Sequence, residues 1–197
     1  MSNDIRIGHE MKRLNTLVQE LLLLARLESG NELNRQMASF DVALVVEEAC
    51  TDASFEEEQM GKSVVLVKSE PLHVMGHREL LRRAVDNVLR NGLRFARETG
   101  TVRVDVARIV SRNIGIITIH DDGPGIAPDQ EKLIFEPFVT LPNSAAGSSD
   151  GSGLGLAIAR QAVLAHGGTI EAHCSKGEGL SVFIELPATD NPEALLP

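Results

Sequence analysis

The order in which helix-like and strand-like segments follow one another is the feature that most restricts the fold. Segments such as "TVRVDVARI" (residues 101–109) alternate apolar and polar residues, so the sheet that they build has one face to bury. The predicted order is two helices, strands at 63–69 and 73–76, a helix at 77–96, strands at 101–109 and 115–120, a loop, a helix to about 166, and two strands within 168–187. This order predicts an α+β fold, a two-layer α/β sandwich with helices on one face of a mixed sheet.

The first helix, predicted over residues 5–28, has an apolar face that one helix cannot bury alone. Apolar residues recur along it at alternating spacings of four and three, which is a heptad seam. The seam residues are Ile7, Met11, Leu14, Val18, Leu21 and Ala25. Leu17, Leu22 and Leu24 widen the seam, which favours a four-helix bundle. We therefore expect a partner chain or further helices against this face; packing onto its own domain is the alternative.

Glycines and polar stretches divide the chain. Gly30 ends the first helix, and residues 31–40 form a polar linker. Asp41 is expected to cap a helix over about 42–60 that Gly61 ends, and residues 188–197 are expected to form a flexible tail. The predicted units are therefore 1–30, 31–40, 41–187 and 188–197.

Charge and composition exclude some functions. The net charge is −9 and the basic residues form no single block, so a nucleic-acid partner is not expected. No uncharged apolar stretch is long enough to span a membrane. Cys50 and Cys174 are expected to be free thiols. Because the chain has no Trp or Tyr, a pocket for a base would be mainly aliphatic, with Phe as its aromatic residue.

The first of three polar motifs is "DNVLRNGLRFA" (86–96). Asn87 and Asn91 are four residues apart on a predicted helix, so they share a face and can bind Mg²⁺ or a ligand through amide oxygens. Arg94 can reach a phosphate and Phe95 can line a base pocket. The alternative is a solvent-facing Asn pair with Phe95 in the core.

The second motif is "HDDGPGI" (120–126). Asp121 follows a buried strand, and an ionised carboxylate there accepts hydrogen bonds, which suits an exocyclic amine such as that of adenine. Gly123 and Gly125 would let a flat base approach the backbone. The alternative is an ordinary Asp-Gly turn.

The third motif, "DGSGLGLAIARQAVLAHGG" (150–168), places glycines before a helix. Its spacing fits neither the dinucleotide fingerprint nor a P-loop. Its backbone N–H groups and the helix dipole would nevertheless suit phosphate oxygens. The loop at residues 139–152, which is uncharged apart from Asp150, predicts a mobile lid.

In this order the motifs resemble the ATP-binding domain of sensor histidine kinases, in the superfamily that also holds gyrase, the Hsp90 chaperones and MutL. The three motifs resemble the N box, the G1 box ("DDGPGI") and the G2 box ("GSGLGLA"). "IFEPF" (134–138) resembles the F box, and "GEGLSVFIELP" (177–187) resembles the last glycine box. "LLLLARLESG" (21–30) is similar to the end of the second helix of the dimerisation and phosphoacceptor hairpin. "FEEEQMGKSV" (55–64) and the N box resemble the CpxA-like envelope-stress sensors.

The resemblance, which extends from about residue 5 to 187, implies a Bergerat ATP-binding fold at 41–187 and part of a hairpin helix at 1–30. It implies ATP and Mg²⁺ as cofactors, with Asn87 and Asn91 as metal ligands. Phe135 and Phe138 would anchor the lid hinge, or simply pack in the core. The implied nucleotide-binding residues are Asn87, Asn91, Arg94, Phe95, Asp121, Gly123, Gly125, Ile126, Gly151, Ser152, Gly153, Leu154, Gly155 and Leu156.

Two departures from the family pattern bear on nucleotide binding. Gly92 stands where the family usually has Ala, which weakens a helix by up to about 1 kcal/mol. The lid segment has no Lys or Arg against the phosphates, which leaves that role to Arg90 or Arg94.

The resemblance implies a protein histidine kinase. The γ-phosphoryl group of ATP would pass to a histidine on the hairpin and then to an aspartate of a response regulator. The full-length protein would be a homodimer through the bundle helix, and this chain would be the cytoplasmic portion of a bacterial inner-membrane sensor. An ATPase-type conformational machine and a non-catalytic nucleotide-sensing module remain alternatives; the former needs a Glu where Asn87 stands.

His9 is not expected to be the phosphoacceptor. "HEMKRL" (9–14) resembles the phosphoacceptor box, but Leu14 stands where the box has Pro. The segment similar to the second hairpin helix begins at Leu21, which leaves too little chain for a first helix and a turn. We therefore expect the chain to lack its phosphoacceptor histidine.

Overall fold

A computed structural model of the chain describes residues 2–29, 37–57, 61–141, 152–174, 177 and 179–189. It contains four α-helices and seven strands within these residues. The helices are α1 (Ser2–Ser29), α2 (Val42–Glu57), α3 (Arg78–Phe95) and α4 (Gly155–Ala165). The strands are β1 (Ala38–Asp41), β2 (Ser63–Ser69), β3 (His73–Gly76), β4 (Thr101–Ile109), β5 (Ile114–His120), β6 (Thr169–Cys174) and β7 (Leu180–Pro187).

Five strands form one mixed sheet in the order β2-β4-β5-β7-β6. β2 runs parallel to β4, and the other neighbouring pairs are antiparallel. Along β4, β5 and β7 every second residue is buried, including Val104, Ile117 and Ile184. α2, α3 and α4 pack against the sheet and against one another, so the predicted two-layer sandwich with a mixed sheet is confirmed.

Local signals define α2 as the sequence predicts. The Asp41 carboxylate accepts the N–H of Ala43 at 2.9 Å, which is the bond of an N-cap residue. The same oxygen accepts the N–H of Leu72 at 3.0 Å, so the cap also ties α2 to the segment before β3. The expected end of this helix at Gly61 involves residues 58–60, which lie outside the described residues.

α1 is one helix from Ser2 to Ser29, and it contacts α4. Leu24 and Leu27 are buried and join the core of the domain, with Leu17 and Leu23 packed against it. The heptad seam points elsewhere: Ile7, Met11, Leu14, Val18 and Leu21 are 41–66% exposed. Thus one face of α1 packs onto its own domain while the seam stays accessible.

Two expectations, the extent of the linker and the start of the flexible tail, differ from the structure. The linker does not extend to residue 40, because Ala38–Asp41 forms β1 and pairs with β3 in a separate two-stranded sheet. β2 and β3, which follow one another in sequence, are therefore in different sheets. The expected tail is anchored at its start, where the N–H groups of Ala188 and Thr189 bond to Asn113 and His73. Within the described residues, no helix has the length and apolar character needed to cross a membrane.

Candidate nucleotide-binding site

A cavity of about 800 Å³ lies between α3, the segment after β5, the start of α4 and the β6–β7 end of the sheet. It brings together residues of all three polar motifs. The predicted residues that line it are Asn87, Asn91, Arg94, Phe95, Asp121, Gly125, Ile126, Ser152, Gly153, Gly155 and Leu156.

The cavity face of α3 carries the first motif. Asn87, Arg90, Asn91 and Arg94 line the cavity, as helical spacings of three and four require. The Arg94 guanidinium lies over the ring of Phe95, 5.4 Å from its centroid, so the two side chains form a cation–π pair. This face therefore presents amides and cations, both suited to phosphate oxygens.

Asn87 has an incomplete set of hydrogen bonds. Its Nδ2 atom is buried and finds no partner within the described part of the chain. A buried amide group without a partner costs free energy, so a ligand would relieve that cost. A phosphate oxygen could accept from Nδ2, or rotation of the amide would offer its oxygen to a cation.

Asp121 is held at the end of β5 with 4% of its surface exposed. Its Oδ1 atom accepts the N–H of Gly123 at 2.9 Å and the N–H of Leu180 at 3.3 Å. Burial raises the pKa of this carboxyl above its ordinary value, and the two backbone hydrogen bonds act in the opposite direction. Since both bonds use Oδ1, Oδ2 is the oxygen left for a ligand in the cavity.

Gly123 supports this carboxylate rather than lining the cavity. A Cβ atom at this position would lie 2.5 Å from the Phe95 carbonyl oxygen and 2.8 Å from Asp121 Oδ1. Only glycine allows the three groups to approach so closely. The structure thus gives Gly123 a packing role, whereas the sequence predicts contact with a base.

The third motif lines the cavity with Ser152, two glycines and Leu156. A Cβ atom on Gly155, the first residue of α4, would be 3.5 Å from Asn87 Oδ1, so the first and third motifs are neighbours. Leu154 was expected among the nucleotide-binding residues, but its side chain is fully buried in the core. Gly151 and most of the predicted lid, residues 142–150, lie outside the described residues.

The segments on either side of the lid meet at their base. The N–H of Phe138 donates to the carbonyl of Gly153 at 2.9 Å, and both residues have left-handed φ angles, +65° and +68°. An ion pair between Glu136 and Arg160 at 2.9 Å joins the same two segments. Phe135 is buried, as core packing predicts, whereas Phe138 is 62% exposed.

Several cavity residues come from outside the motifs. Cys174 lies on the cavity wall, where its sulfur accepts the N–H of Ile126 at 3.1 Å and contacts the carbonyl oxygen of Gly179 at 3.2 Å. Leu180 and Gln130 also line the cavity. The sequence identified Cys174 only as a free thiol, because Cys174 lies outside the three polar motifs and no local pattern connects it to a ligand pocket.

The donor set fits Mg²⁺ only in combination with a ligand. Among the residues that the structure describes, no three His, Cys, Asp or Glu side chains are grouped for metal binding. Asn87 and Asn91 offer amide oxygens on one wall of the cavity. Mg²⁺ bound to a nucleotide needs few protein ligands, because phosphate oxygens and water complete its octahedron.

Comparisons with known proteins agree with this geometry. A family model described as histidine kinase-, DNA gyrase B- and HSP90-like ATPase matches residues 76–190. The sensor histidine kinase CpxA of Escherichia coli (strain K12) is 33% identical over 183 residues, which are 92% of this chain and 39% of CpxA. The chain thus spans about two fifths of the length of the curated relatives that it matches.

Solved structures extend the comparison to the fold. The mycobacterial sensor histidine kinase MprB superposes with a TM-score of 0.67 at 30% identity, covering 78% of this chain and 98% of that one. Full-length ShkA in complex with AMPPNP superposes with a TM-score of 0.80 at 27% identity, covering 95% of this chain and 38% of that one. The ShkA complex contains AMPPNP, an ATP analogue.

Proposed function

The chain belongs to the histidine kinase-, DNA gyrase B- and HSP90-like ATPase family, and we propose that it is the ATP-binding catalytic part of a sensor histidine kinase. One observation carries the proposal: a buried carboxylate, Asp121, shares a cavity with the amide and guanidinium face of α3 and the glycine start of α4. A carboxylate acceptor for an amine and groups that bind phosphate, within one cavity, match the two chemically different parts of ATP. The names of the matched relatives support the same assignment.

The chain's own residues divide the work of binding. Asp121 Oδ2 accepts from the adenine amine, while Ile126 and Leu156 supply apolar contact with the base. Arg90 and Arg94 offset the negative charge of the triphosphate, since residues 139–152 contain no Lys or Arg. Asn87 and Asn91 would hold Mg²⁺, which neutralises charge on the phosphates during transfer. Catalysis then rests on positioning the γ-phosphoryl group for a histidine of a dimerisation hairpin.

Asn87 distinguishes the kinase from the ATP-hydrolysing alternative. An amide cannot take a proton from water, so this position cannot act as a general base. Asp86 is adjacent in sequence, but it is bonded to Arg82 at 3.1 Å and does not line the cavity. The site therefore favours transfer to a protein side chain over hydrolysis.

The exposed seam of α1 suggests that this surface binds other helices. We propose that it packs in the helical bundle of a homodimer, next to the phosphoacceptor hairpin helix. The phosphoryl group would then pass to an aspartate of a response regulator. The chain would be the cytoplasmic portion of a bacterial inner-membrane sensor, as the resemblance to sensor kinases implies.

Titration of the protein with Mg-ATP by isothermal calorimetry tests the proposal, since there is no Trp to report binding by fluorescence. We expect saturable binding at one site, weakened when Mg²⁺ is removed. GTP should bind far more weakly, because it carries a carbonyl oxygen where adenine has its amine. Absence of ATP binding, or equal binding of both nucleotides, would refute the proposal.

A further inference from the structure

The last turn of α3 brings Arg94 and Phe95 to the cavity, yet it ends without the usual glycine cap. Its C-cap residue, Ala96, has φ −54° and ψ 152°, so the chain leaves the helix in an extended rather than a left-handed conformation. The Ala96 N–H bonds to the carbonyl of Gly92. The carbonyls of Leu93 and Arg94 lie beyond this last helical hydrogen bond, so the helix itself provides no donor for them.

Lys62 supplies the missing donor from a distant part of the sequence. Its Nζ atom donates to the Leu93 carbonyl at 2.5 Å and lies 3.5 Å from the Arg94 carbonyl. A cation at this end of a helix is also favoured by the helix dipole. The half-buried Lys62 therefore acts as the C-terminal cap of α3.

Sheet topology fixes where this lysine stands. β2 and β4 are parallel, so the start of β2 lies beside the start of β4 and the loop that leads out of α3. The Ser63 N–H bonds to the Gly100 carbonyl at 3.1 Å, and the Ser63 and Thr101 hydroxyls are 2.9 Å apart. These bonds hold the backbone of residue 62 against the end of α3.

The carboxylate of Asp122 binds N–H groups of the same loop. Its two carboxylate oxygens accept the N–H groups of Arg97 at 3.1 Å and Thr101 at 3.2 Å. Asp122 directly follows Asp121, so it also connects this loop to the part of the cavity wall that Asp121 forms. Thus the cation of Lys62 binds the last carbonyls of α3, and the anion of Asp122 binds N–H groups of the loop that follows α3.

We infer that Lys62 is a positioning residue for nucleotide binding, acting through the Leu93 and Arg94 carbonyls to orient Arg94 and Phe95. The inference rests on the proposed function, because it concerns the same cavity. Lys62 does not line the cavity and belongs to none of the polar motifs. Its effect on the ligand is therefore indirect.

The experiment compares three variants with the wild type. Lys62→Met removes the ammonium group at similar length, and Lys62→Arg restores a cationic donor. Lys68→Met is the matched control, since Lys68 is an exposed lysine on the β2 strand that directly follows Lys62, and among the described residues it pairs only with Glu70, at 2.7 Å. Calorimetry gives the Kd for Mg-ATP, and thermal unfolding is measured in parallel.

We expect Lys62→Met to raise the Kd for Mg-ATP about 3- to 10-fold, the result of a last turn that is ordered in a third to a tenth of molecules. Lys62→Arg should recover most of that loss, and Lys68→Met should match the wild type. Hydrogen exchange of the Ala96 amide should be faster in Lys62→Met. In an Arg94→Ala background the loss caused by Lys62→Met should shrink, because the two residues act through the same turn.

A wild-type Kd in Lys62→Met would overturn the inference. So would an equal loss in the wild-type and Arg94→Ala backgrounds, which would indicate a general effect on stability. If Lys62→Met does not fold, Lys62→Gln, whose shorter side chain carries a weaker neutral donor, takes its place. Its Kd and its Ala96 exchange rate should then rise together, and faster Ala96 exchange with a wild-type Kd would overturn the inference. Failure of the wild type to bind Mg-ATP would instead refute the proposed function, and with it this role of Lys62.

Discussion

Replacing Asp121 by Asn tests the adenine site with a change of only one group. Oδ1 of Asp121 accepts two backbone N–H groups, from Gly123 and Leu180. The Asn side chain must keep its oxygen at that position, because an NH₂ group there would face two donors. The new NH₂ group therefore takes the place of Oδ2, where it would meet the adenine amine donor to donor.

The expected loss of affinity follows from the burial of the group. A hydrogen bond to a charged partner contributes about 1.5–3 kcal/mol, and a buried donor left without an acceptor adds to the cost. With Asp121 only 4% exposed, water cannot replace the lost bond. The upper half of this range, about 2.2–3 kcal/mol, therefore applies, and it corresponds to a Kd for ATP raised about 40- to 150-fold.

The same substitution should stabilise the protein without ligand. Burial raises the pKa of Asp121 in the folded state, so folded protein binds its proton more tightly than unfolded protein. Stability from this group is present at low pH and is lost as pH rises through the folded pKa. At neutral pH the ionised carboxylate is therefore unfavourable for folding, and the neutral amide removes that cost. Higher thermal stability with weaker ATP binding is the expected signature.

Calorimetry with ATP and inosine triphosphate separates adenine recognition from general charge effects. Inosine has a carbonyl oxygen in place of the amine, so Asp121→Asn should shift preference from ATP towards inosine triphosphate. Asp129→Asn is the control, because it removes the same charge from an exposed position outside the cavity lining. Wild-type ATP affinity in Asp121→Asn, or an unchanged preference between the two nucleotides, would refute the role of Asp121.

Three further predictions address the metal, the chemistry and the fold. Asn91→Ala should remove the Mg²⁺ dependence of ATP binding in calorimetric titrations; an unchanged response to Mg²⁺ would contradict its role as a ligand. The wild type should show negligible phosphate release from ATP, whereas Asn87→Glu should introduce slow hydrolysis; rapid release by the wild type would favour an ATPase. His166 is buried, its Nδ1 lies 2.7 Å from the Ala162 carbonyl, and its Nε2 accepts the His77 N–H at 3.0 Å. Burial lowers the pKa of His166 below 6.5, so the unfolded state binds the proton more tightly and the free energy of unfolding should fall below about pH 6.5. Thermal unfolding at pH 7.5 and 5.5 in the Asp121→Asn background, which removes the opposing contribution of that carboxyl, should show this fall, and His166→Gln should reduce it.

The positions of site residues that lie on a single helix, or at the end of a single strand, could be predicted from the sequence. Once residues 77–96 are recognised as a helix, the spacing of Asn87 and Asn91 places both on one face. Asp121 follows a run of buried strand residues, so its position at a strand end is a local property. In both cases the structure brings the predicted residues to one cavity.

The remaining parts depend on strand order, which periodicity leaves open. Cys174 reaches the cavity because β6 and β7 follow β5 in the sheet, and the sequence does not specify that order. Lys62 reaches the end of α3 only because β2 is parallel to β4. None of the four residues of β1 is fully buried, so this strand lacks the alternation of buried residues that β3 shows. The burial of the Leu154 side chain could not be predicted, because glycine spacing indicates a backbone approach and says nothing about neighbouring side chains.

The hydrogen bond between Phe138 and Gly153 indicates where the length of the chain can change without affecting the cavity. It closes the chain into a loop whose two ends are fixed to each other, and the Glu136–Arg160 ion pair reinforces the closure. Residues inserted or deleted between positions 142 and 151 would leave α4 and the described cavity walls in place. Doubling the length of such a loop costs only about 0.6 kcal/mol in closure entropy. A reporter peptide inserted within this segment is therefore expected to leave the rest of the domain undisturbed.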